Sequence, residues 1–301
     1  MSMSITAKNG FSPEWKETVK AYLELTKLRI VLLLCFTTLT AMVIAAGGLP
    51  PVAVTLPTLI GGALAAAGAS AINQFIDRDM DARMSRTSRR PIPSGRVTPL
   101  NALFFGIGLV TWAVLILSIS VNLLSAVLAL IGALYYVILY TVILKRNTVV
   151  NILIGGGAGA IPVLVGWAAV TGTLSYEAGI LFAIVFWWTP PHSWALALLV
   201  NTDYARANVP MMPVARGEET TRVQILLYSV QLFLITLLPA VFGFLGPIYL
   251  LAASVLGVGL IWLARRLVRE GTKALARTTY KYSTAYLAFL FMAMMIDRLL
   301  I

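Results

Sequence analysis

Long apolar runs separated by short polar links form the dominant pattern of the chain between residues 27 and 298. A helix that crosses a bilayer needs about 20 mostly apolar residues in a row. By that measure we predict nine spans, at residues 27–47, 52–76, 99–119, 121–143, 148–170, 177–200, 222–243, 247–268 and 279–298. Turn-forming Gly and Pro residues fill the breaks between them, as at 47–51 and 246–247. The pattern therefore predicts an all-α integral membrane protein built as a bundle of nine transmembrane helices.

The segment before the first span follows a different pattern and is too polar to contain the apolar core of a cleavable targeting peptide. Ser12 and Pro13 have the chemistry of a helix N-cap and of the first helical position. Apolar residues then recur at helical spacing, at Trp15, Val19 and Tyr22. We predict an amphipathic helix over residues 13–25 that lies on the membrane surface. The chain thus divides into a cytoplasmic N-terminal segment, 1–25, and a single nine-helix membrane domain, 26–301.

Composition and charge agree with a membrane protein and predict its orientation. Hydrophobic residues make up 59% of the chain and charged residues only 12%, whereas charged residues make up about 25% of an average soluble domain. If the nine spans alternate in direction, every Lys and Arg except Arg298 lies on the side of the N-terminus. Because basic residues collect on the cytoplasmic side, we predict that the N-terminus is cytoplasmic. The net charge of +11 then requires no nucleic acid as a partner.

Acidic residues are rare, and several of them crowd at the predicted cytoplasmic end of the second span. On a helix that turns about 100° per residue, Asn73, Asp77 and Asp81 lie at about 0°, 40° and 80° and share one face. Asp79 points away from them. Amide and carboxylate oxygens are ligands that suit Mg²⁺, which completes its shell with water and substrate phosphates. The spacing therefore predicts a magnesium site formed by Asn73, Asp77 and Asp81.

A cluster of arginines follows the acidic residues. Its members are Arg83, Arg86, Arg89, Arg90 and Arg96. Guanidinium groups match phosphate oxygens with paired hydrogen bonds, but neighbouring carboxylates repel a phosphate unless a metal lies between them. The combination favours a metal-bridged phosphate site. The alternative is a helix end followed by arginines that only mark topology and form salt bridges with the acids.

Two further residues are candidates because of where they fall. Asp203 is the only acid before Glu218 in the link between the sixth and seventh spans, on the same predicted membrane face as Asp77. It is either part of the site or a solvated loop carboxylate. His192, the only histidine, follows a Pro-Pro pair within the sixth span. Prolines free backbone carbonyls that lipid cannot satisfy, so this segment should face the interior, with His192 either functional or packed against such a carbonyl.

The stretch 73–81 resembles the first Asp-rich motif, NxxxDxxxD, of the UbiA prenyltransferase superfamily, and several further blocks resemble the heme o synthases (protoheme IX farnesyltransferases) within it. Those blocks are 86–95, 140–148, 159–162 with 166–167, 190–192, and 203–204 followed by 210–213. The resemblance implies a UbiA-type bundle of nine helices around a central lipid-accessible cavity, with the polar site under a cytoplasmic cap. It also implies a bacterial inner-membrane protein whose Asp-rich loops are cytoplasmic.

The resemblance implies a reaction as well. A farnesyl group would pass from farnesyl diphosphate to a vinyl group of heme b, with addition of water, to give heme o and pyrophosphate. Asn73, Asp77 and Asp81 would bind the Mg²⁺ cofactor and the diphosphate. The residues for which phosphate contacts are implied are Lys27 or Arg29 on the first helix, Arg83 and Lys145. The prenyltransferase would need no protein nucleophile.

The second motif and the histidine are also interpreted through the resemblance. Asp203 and Tyr204 occupy the second motif, which makes Asp203 a further candidate metal ligand. Many superfamily members carry an Asp pair four residues apart there, whereas this chain has Ala207, so that one or two Mg²⁺ ions remain possible. His192 would ligate or orient the heme iron, or accept the proton of the water that completes the product.

The implied partners are farnesyl diphosphate, heme b and membrane lipid, with handover of the product to a heme a synthase or a terminal oxidase. Two other functions remain open at this point. One is a UbiA-type prenyltransferase that acts on an aromatic quinone precursor. The other is a transporter of an anionic or isoprenoid cargo, which predicts acids distributed through the spans and an internal repeat, and the sequence shows neither pattern.

Overall fold

The computed structural model describes residues 13–300, which are mainly helical and include no strand. The α-helices are α1 (Pro13–Thr26), α2 (Leu28–Ala46), α3 (Val52–Arg83), α4 (Pro99–Ser120), α5 (Leu123–Leu134), α6 (Asn151–Gly155), α7 (Gly157–Thr171), α8 (Tyr176–Leu199), α9 (Asn201–Arg206), α10 (Met212–Arg216), α11 (Glu218–Val241), α12 (Pro247–Glu270) and α13 (Lys273–Leu300). A π-helix, Tyr135–Leu144, continues α5 without a break. The predicted all-α fold is confirmed.

Eight helical segments among residues 13–300 are long and apolar enough to cross a membrane. They correspond to eight of the nine predicted spans, with α5 and the π-helix forming one and α6 and α7 forming another. The remaining predicted span, 177–200, is present as the 24-residue helix α8. Its Trp, Pro and His residues lower its hydropathy, so it is not among those eight. The integral membrane prediction is confirmed, whereas the count of nine spans and the cytoplasmic N-terminus stay predictions.

The predicted N-terminal helix is present as α1, and its predicted N-cap, Ser12, lies outside the described residues. Ala21 and Leu25 of α1 are fully buried and pack with Ile92 in one apolar cluster. Trp15 and Val19 are instead 45% exposed, on the part of the helix that turns away from the bundle. The exposed apolar pair agrees with the membrane-surface location, which remains a prediction.

A single residue, Lys27, separates α1 from α2 and has the left-handed backbone angle φ +52°. This conformation costs an L-residue roughly 1–2 kcal/mol, so the surrounding contacts must hold it. The carbonyl of Leu25 accepts hydrogen bonds from Ser70 Oγ at 2.8 Å and from Gln74 Nε2 at 2.9 Å. These bonds attach the end of α1 to α3 and so fix the position of the backbone that leads into Lys27.

Close backbone contacts between helices depend on glycines. A Cβ atom on Gly68 of α3 would lie 2.6 Å from the carbonyl oxygen of Gly106 on α4, and a Cβ atom on Gly106 would lie 2.8 Å from the carbonyl oxygen of Gly68. A Cβ atom cannot approach a carbonyl oxygen that closely, so α3 and α4 can pack at this distance only with glycine at both positions. This contact fixes the position of α3 relative to α4.

Asp297, near the end of α13, is buried and accepts hydrogen bonds from the backbone N–H groups of Gly246 and Tyr249 at the start of α12. The Gly246 cap position has no side chain of its own, so Asp297 serves as a cap from another helix. Replacement by Ala would leave both donors without this acceptor, and the buried N–H of Tyr249 alone would cost about 1–3 kcal/mol.

We therefore expect Asp297→Ala to lower the thermal midpoint of the detergent-purified protein by about 4 °C or more, with Asp297→Asn losing less because one acceptor oxygen remains. Glu270→Ala is the control, because Glu270 makes only an exposed ion pair with Arg266, and such pairs contribute at most about 1 kcal/mol. An Asp297→Ala protein that melts together with the Glu270→Ala protein would contradict the capping role.

Candidate functional site

The three acidic-motif residues lie on one buried face at the end of α3. Asn73 and Asp81 are each 2% exposed and Asp77 is fully buried. Asn73 Nδ2 donates a hydrogen bond to Asp77 Oδ2 at 2.8 Å, which the one-turn spacing of a regular helix allows. The Asp79 side chain is 71% exposed on another side of the helix. The arrangement has the shared face and the outlying residue that the spacing predicts.

Basic side chains surround this face. Lys27 Nζ donates a hydrogen bond to Asn73 Oδ1 at 3.1 Å. Arg90 Nη1 lies 2.6 Å from Asp81 Oδ2. Lys27 also interacts electrostatically with the charges of Arg90, Asp81 and Asp77. Lys27 precedes α2, and its burial, together with the neighbouring positive charges, lowers its pKa to about 7; an anion beside it would favour the charged form.

Asp77 is held by the end of the π-helix. Lys145 Nζ donates a short hydrogen bond to Asp77 Oδ2, and Arg146 Nη2 lies 3.5 Å from Asp77 Oδ1. The salt bridges of the alternative interpretation are therefore present. They do not exhaust the site, because four basic groups face two carboxylates among the described residues, and the excess of basic groups suits a polyanion such as a diphosphate.

A divalent cation also fits this donor set. Asp77 Oδ1 is a buried oxygen without a hydrogen-bond partner among residues 13–300, with only the half-exposed Arg146 guanidinium near it, at 3.5 Å, and Asn73 Oδ1 lies on the side of Lys27. Buried carboxylate oxygens require a donor or a cation, and Mg²⁺ in proteins commonly takes one or two carboxylates together with phosphate oxygens. The amide and carboxylate oxygens of Asn73, Asp77 and Asp81 could therefore hold Mg²⁺.

An apolar cavity of about 380 Å³ begins beside this polar face. Lys27 and Tyr136, whose Nζ and OH atoms are 3.4 Å apart, both line it. Most of the remaining lining consists of aliphatic side chains of α2, α3, α5, α7 and α8, together with Trp188 and His192. The volume lies within the usual range for small-molecule pockets. A molecule with an anionic head and a long apolar tail would match the two regions.

His192 lines the same cavity and is held on three sides. Its ring stacks on Trp188 at a centroid distance of 4.3 Å and contacts Tyr280 at 4.8 Å. His192 Nδ1 lies 2.9 Å from Ser283 Oγ, a hydroxyl rather than the freed carbonyl of the packing alternative. Within the described residues Nε2 has no hydrogen-bond partner. The Pro190–Pro191 pair is buried, which confirms that this segment faces the bundle interior.

Asp203 connects two segments that are distant in the sequence. Both of its carboxylate oxygens accept from Ser85 Oγ, at 2.8 and 3.0 Å, and Oδ2 also accepts from the backbone N–H of Arg86. Arg206 Nη1 lies 3.4 Å from Oδ1. The hydrogen bond from Ser85 is the main reason that the pKa of Asp203 is lowered. Asp203 therefore attaches α9 to the segment that follows α3.

The structure does not bring Asp203 together with the α3 carboxylates: in the part of the chain that the structure describes, no group of three or more His, Cys, Asp or Glu side chains could hold a metal ion. Its role as a metal ligand stays a prediction. Tyr204 is buried in an apolar cluster beside Asp203, and burial raises its pKa. Arg29 and Arg83 are exposed, and within the described residues they form no hydrogen bond or ion pair with Asn73, Asp77 or Asp81.

Four residues contact the acidic motif or border it although the sequence did not single them out individually as contacts of the metal or the diphosphate. They are Arg90, Tyr136, Thr141 and Arg146. Arg90 and Arg146 belong to basic clusters that the sequence does reveal, but spacing does not distinguish them from Arg83. Nothing in the sequence singles out Thr141, because its contact with Asn73 depends on the π-helical geometry.

Named relatives resemble this chain over most of its length. A protoheme IX farnesyltransferase of Roseiflexus sp. (strain RS-1) is 52% identical over 280 residues, which are 93% of this chain and 52% of that protein. One of Symbiobacterium thermophilum is 51% identical over 285 residues, 93% of this chain and 95% of that protein. The chain thus spans about half the length of the Roseiflexus relative and nearly the whole of the Symbiobacterium relative.

Solved structures show the same fold at low identity. The structure of a digeranylgeranylglyceryl phosphate synthase has a TM-score of 0.79 at 19% identity and covers 95% of this chain and 100% of its own. A UbiA homolog from Archaeoglobus fulgidus, bound to DMAPP and Mg²⁺, has a TM-score of 0.66 at 17% identity over 91% of this chain and 98% of its own. The model of the UbiA prenyltransferase family matches residues 34–294. The chain belongs to the UbiA prenyltransferase family.

Proposed function

We propose that this chain transfers a farnesyl group from farnesyl diphosphate to a vinyl group of heme b, with addition of water, to give heme o and pyrophosphate. The observation that carries the proposal is the buried row of Asn73, Asp77 and Asp81, surrounded by basic groups, at the end of an apolar cavity. The names of the relatives, including the Symbiobacterium protein of similar length, support heme b as the acceptor.

In the proposed head site, Asn73, Asp77 and Asp81 would hold Mg²⁺, which would supply positive charge to offset that of the departing pyrophosphate. The Archaeoglobus structure bound to DMAPP and Mg²⁺ supports this pairing of metal and prenyl diphosphate. Lys27 and Lys145 would contact the phosphates directly, because both already lie against the acidic row. Arg29 and Arg83 are weaker candidates because both are exposed.

The chain's own residues would then act on an allylic cation. As the bond from the farnesyl C1 atom to the diphosphate oxygen breaks, Lys27 and Lys145 stabilise the negative charge on the leaving group. The aliphatic walls of the cavity exclude bulk water from the cation. A vinyl carbon of heme b forms the new C–C bond, and the cation left on the other vinyl carbon takes up water and loses a proton.

His192 has two roles open to it in this reaction. Its Nε2 has no hydrogen-bond partner among the described residues, and the ring lines the cavity. A free imidazole nitrogen can ligate the iron of the heme substrate or accept the proton released by the capturing water. The stacking on Trp188 and the bond to Ser283 hold the ring in one orientation for either role.

The surroundings of the reaction stay predictions. A bacterial inner membrane, a cytoplasmic position of the Asp-rich end, and handover of the product to a heme a synthase or a terminal oxidase all belong to this proposal. Asp203 and Tyr204 would complete the cytoplasmic cap, with Asp203 acting as a metal ligand only if it leaves its bonds to Ser85 and Arg86.

Purified protein incubated with heme b, farnesyl diphosphate and Mg²⁺ is expected to produce a heme in which a hydroxyethylfarnesyl group replaces one vinyl group, with the corresponding increase in mass. A parallel reaction with a hydroxybenzoate is expected to give no prenylated phenol, and chelation of the metal is expected to stop the reaction. Mass spectrometry distinguishes the products. Prenylation of the phenol alone would overturn the assignment of heme b.

Asp77→Asn and Asp81→Asn are each expected to lower turnover by about 100-fold or more, because each removes a buried charge from the site where the leaving group is stabilised. Asp79→Asn is the matched control: the same change two residues away, on an exposed side chain, should leave turnover within about twofold. Initial rates and the yield of folded protein are measured for all three variants. Wild-type rates in the Asp77 and Asp81 variants would refute the proposed head site.

A further inference from the structure

Three side chains of the π-helix and of the residue after it point toward the acidic row and Lys27. On a regular α-helix the same side chains would point in different directions. Tyr136 contacts Lys27, Thr141 contacts Asn73, and Lys145 directly follows the π-helix and contacts Asp77. In an α-helix that turns about 100° per residue, Thr141 would point about 140° away from Tyr136, and Lys145 about 180° away. The three contacts on one side therefore depend on the wider π-helical turn.

Backbone hydrogen bonds show this wider turn directly. The N–H of Lys145 donates to the carbonyl of Tyr140, five residues earlier, at 2.8 Å. The side chain of Thr141 also reaches back five residues, because its Oγ1 donates to the carbonyl of Tyr136 at 2.8 Å. Bonds from i to i+5 define the π-helix, a rare structure that occurs often at functional sites. Its length here, ten residues, is well beyond the single turn that is usual.

Thr141 is fully buried, and its hydroxyl completes the contacts of the Asn73 amide. Because the Thr141 proton is donated to Tyr136, its oxygen accepts from Asn73 Nδ2, at 3.0 Å. The second Nδ2 proton goes to Asp77 Oδ2 at 2.8 Å. Both amide protons are thus used, and Asn73 Oδ1 is left to face Lys27. Rotation of the amide by 180° would set an oxygen against two acceptors and an NH₂ group against an ammonium.

We propose that Thr141 is a positioning residue that, presented by the π-helix, fixes the amide of Asn73 with Oδ1 toward the metal and diphosphate. The inference rests on the proposed head site and extends it to a residue that acts through Asn73. Residues that orient metal ligands typically contribute 10- to 100-fold in metal affinity or activity. Loss of the Thr141 hydroxyl would leave Asn73 free to turn its amide oxygen away.

The test compares Thr141→Val, which removes the hydroxyl at nearly constant volume, with Thr141→Ser, which keeps it. Binding of Mn²⁺, as a spectroscopic probe for Mg²⁺, is titrated by electron paramagnetic resonance in the presence of an unreactive thio analogue of farnesyl diphosphate. We expect Thr141→Val to weaken Mn²⁺ binding by about 10-fold or more and Thr141→Ser by less than about threefold. The Mg²⁺ concentration for half-maximal turnover should shift in parallel.

Thr40→Val is the matched control, because Thr40 is equally buried and its hydroxyl bonds only to the carbonyl of Phe36 in its own helix. It should bind Mn²⁺ as the wild type does, which separates loss of a threonine hydroxyl from loss of the Asn73 contact. If Thr141→Val does not fold, Thr141→Ala replaces it. Mn²⁺ affinity within threefold of wild type in the hydroxyl-free variant, or equal loss in Thr141→Ser, would overturn the inference.

The same experiment separates this inference from the proposed function. If Thr141→Val weakens Mn²⁺ binding but the wild-type protein does not farnesylate heme b, the assignment of heme b as the acceptor is refuted and the role of Thr141 is supported. Wild-type protein that produces farnesylated heme and tolerates the loss of the Thr141 hydroxyl would retain the function and refute the positioning role.

Discussion

Two carboxylates buried at the end of α3 impose the constraint on which the rest of the site depends. A buried carboxylate without a partner costs several kcal/mol, so each must be matched by a cation or by hydrogen-bond donors. Arg90 reaches Asp81 from the segment after α3, and Lys145 reaches Asp77 from the end of the π-helix. The need to neutralise the two acids therefore determines where both segments lie. Basic groups in excess of that need are available to an anionic substrate.

Two unusual backbone conformations deliver the neighbours of this acidic row. Lys27 has a left-handed conformation between α1 and α2, and Tyr135–Leu144 forms a π-helix. Both conformations are less favourable than regular helix, and such features persist where surrounding contacts hold them, often at functional sites. Here they meet: Lys27 Nζ and Tyr136 OH lie 3.4 Å apart at the boundary between the polar face and the cavity. Both less favourable conformations therefore contribute to the geometry of the same site.

The sequence predicted those parts of the site that follow regular periodicity. Hydropathy located the membrane helices, and the spacing of the acidic motif placed its three members on one face, because α3 is a regular helix throughout. Thr141 was not predictable, since residues 135–144 are almost uniformly apolar and carry no pattern that would indicate a π-helical register. The choice of Arg90 over Arg83 was also out of reach. The chain leaves the helix at Met84, and spacing rules end there.

The helix that hydropathy identifies least well is the one that lines the cavity with a histidine. Hydropathy reports contact with lipid, and a helix enclosed by other helices does not need a uniformly apolar surface. No residue between 180 and 200 is exposed, so α8 is enclosed along most of its length. Enclosure alone does not lower hydropathy, since the span Asn151–Thr171 is 61% buried and has a mean hydropathy of 1.8. In α8 the segment that lowers it, Pro-Pro-His at 190–192, is also the segment that lies beside the cavity. In a bundle of this kind, the span that falls short of the hydropathy expected for a membrane helix is the first place to look for the substrate.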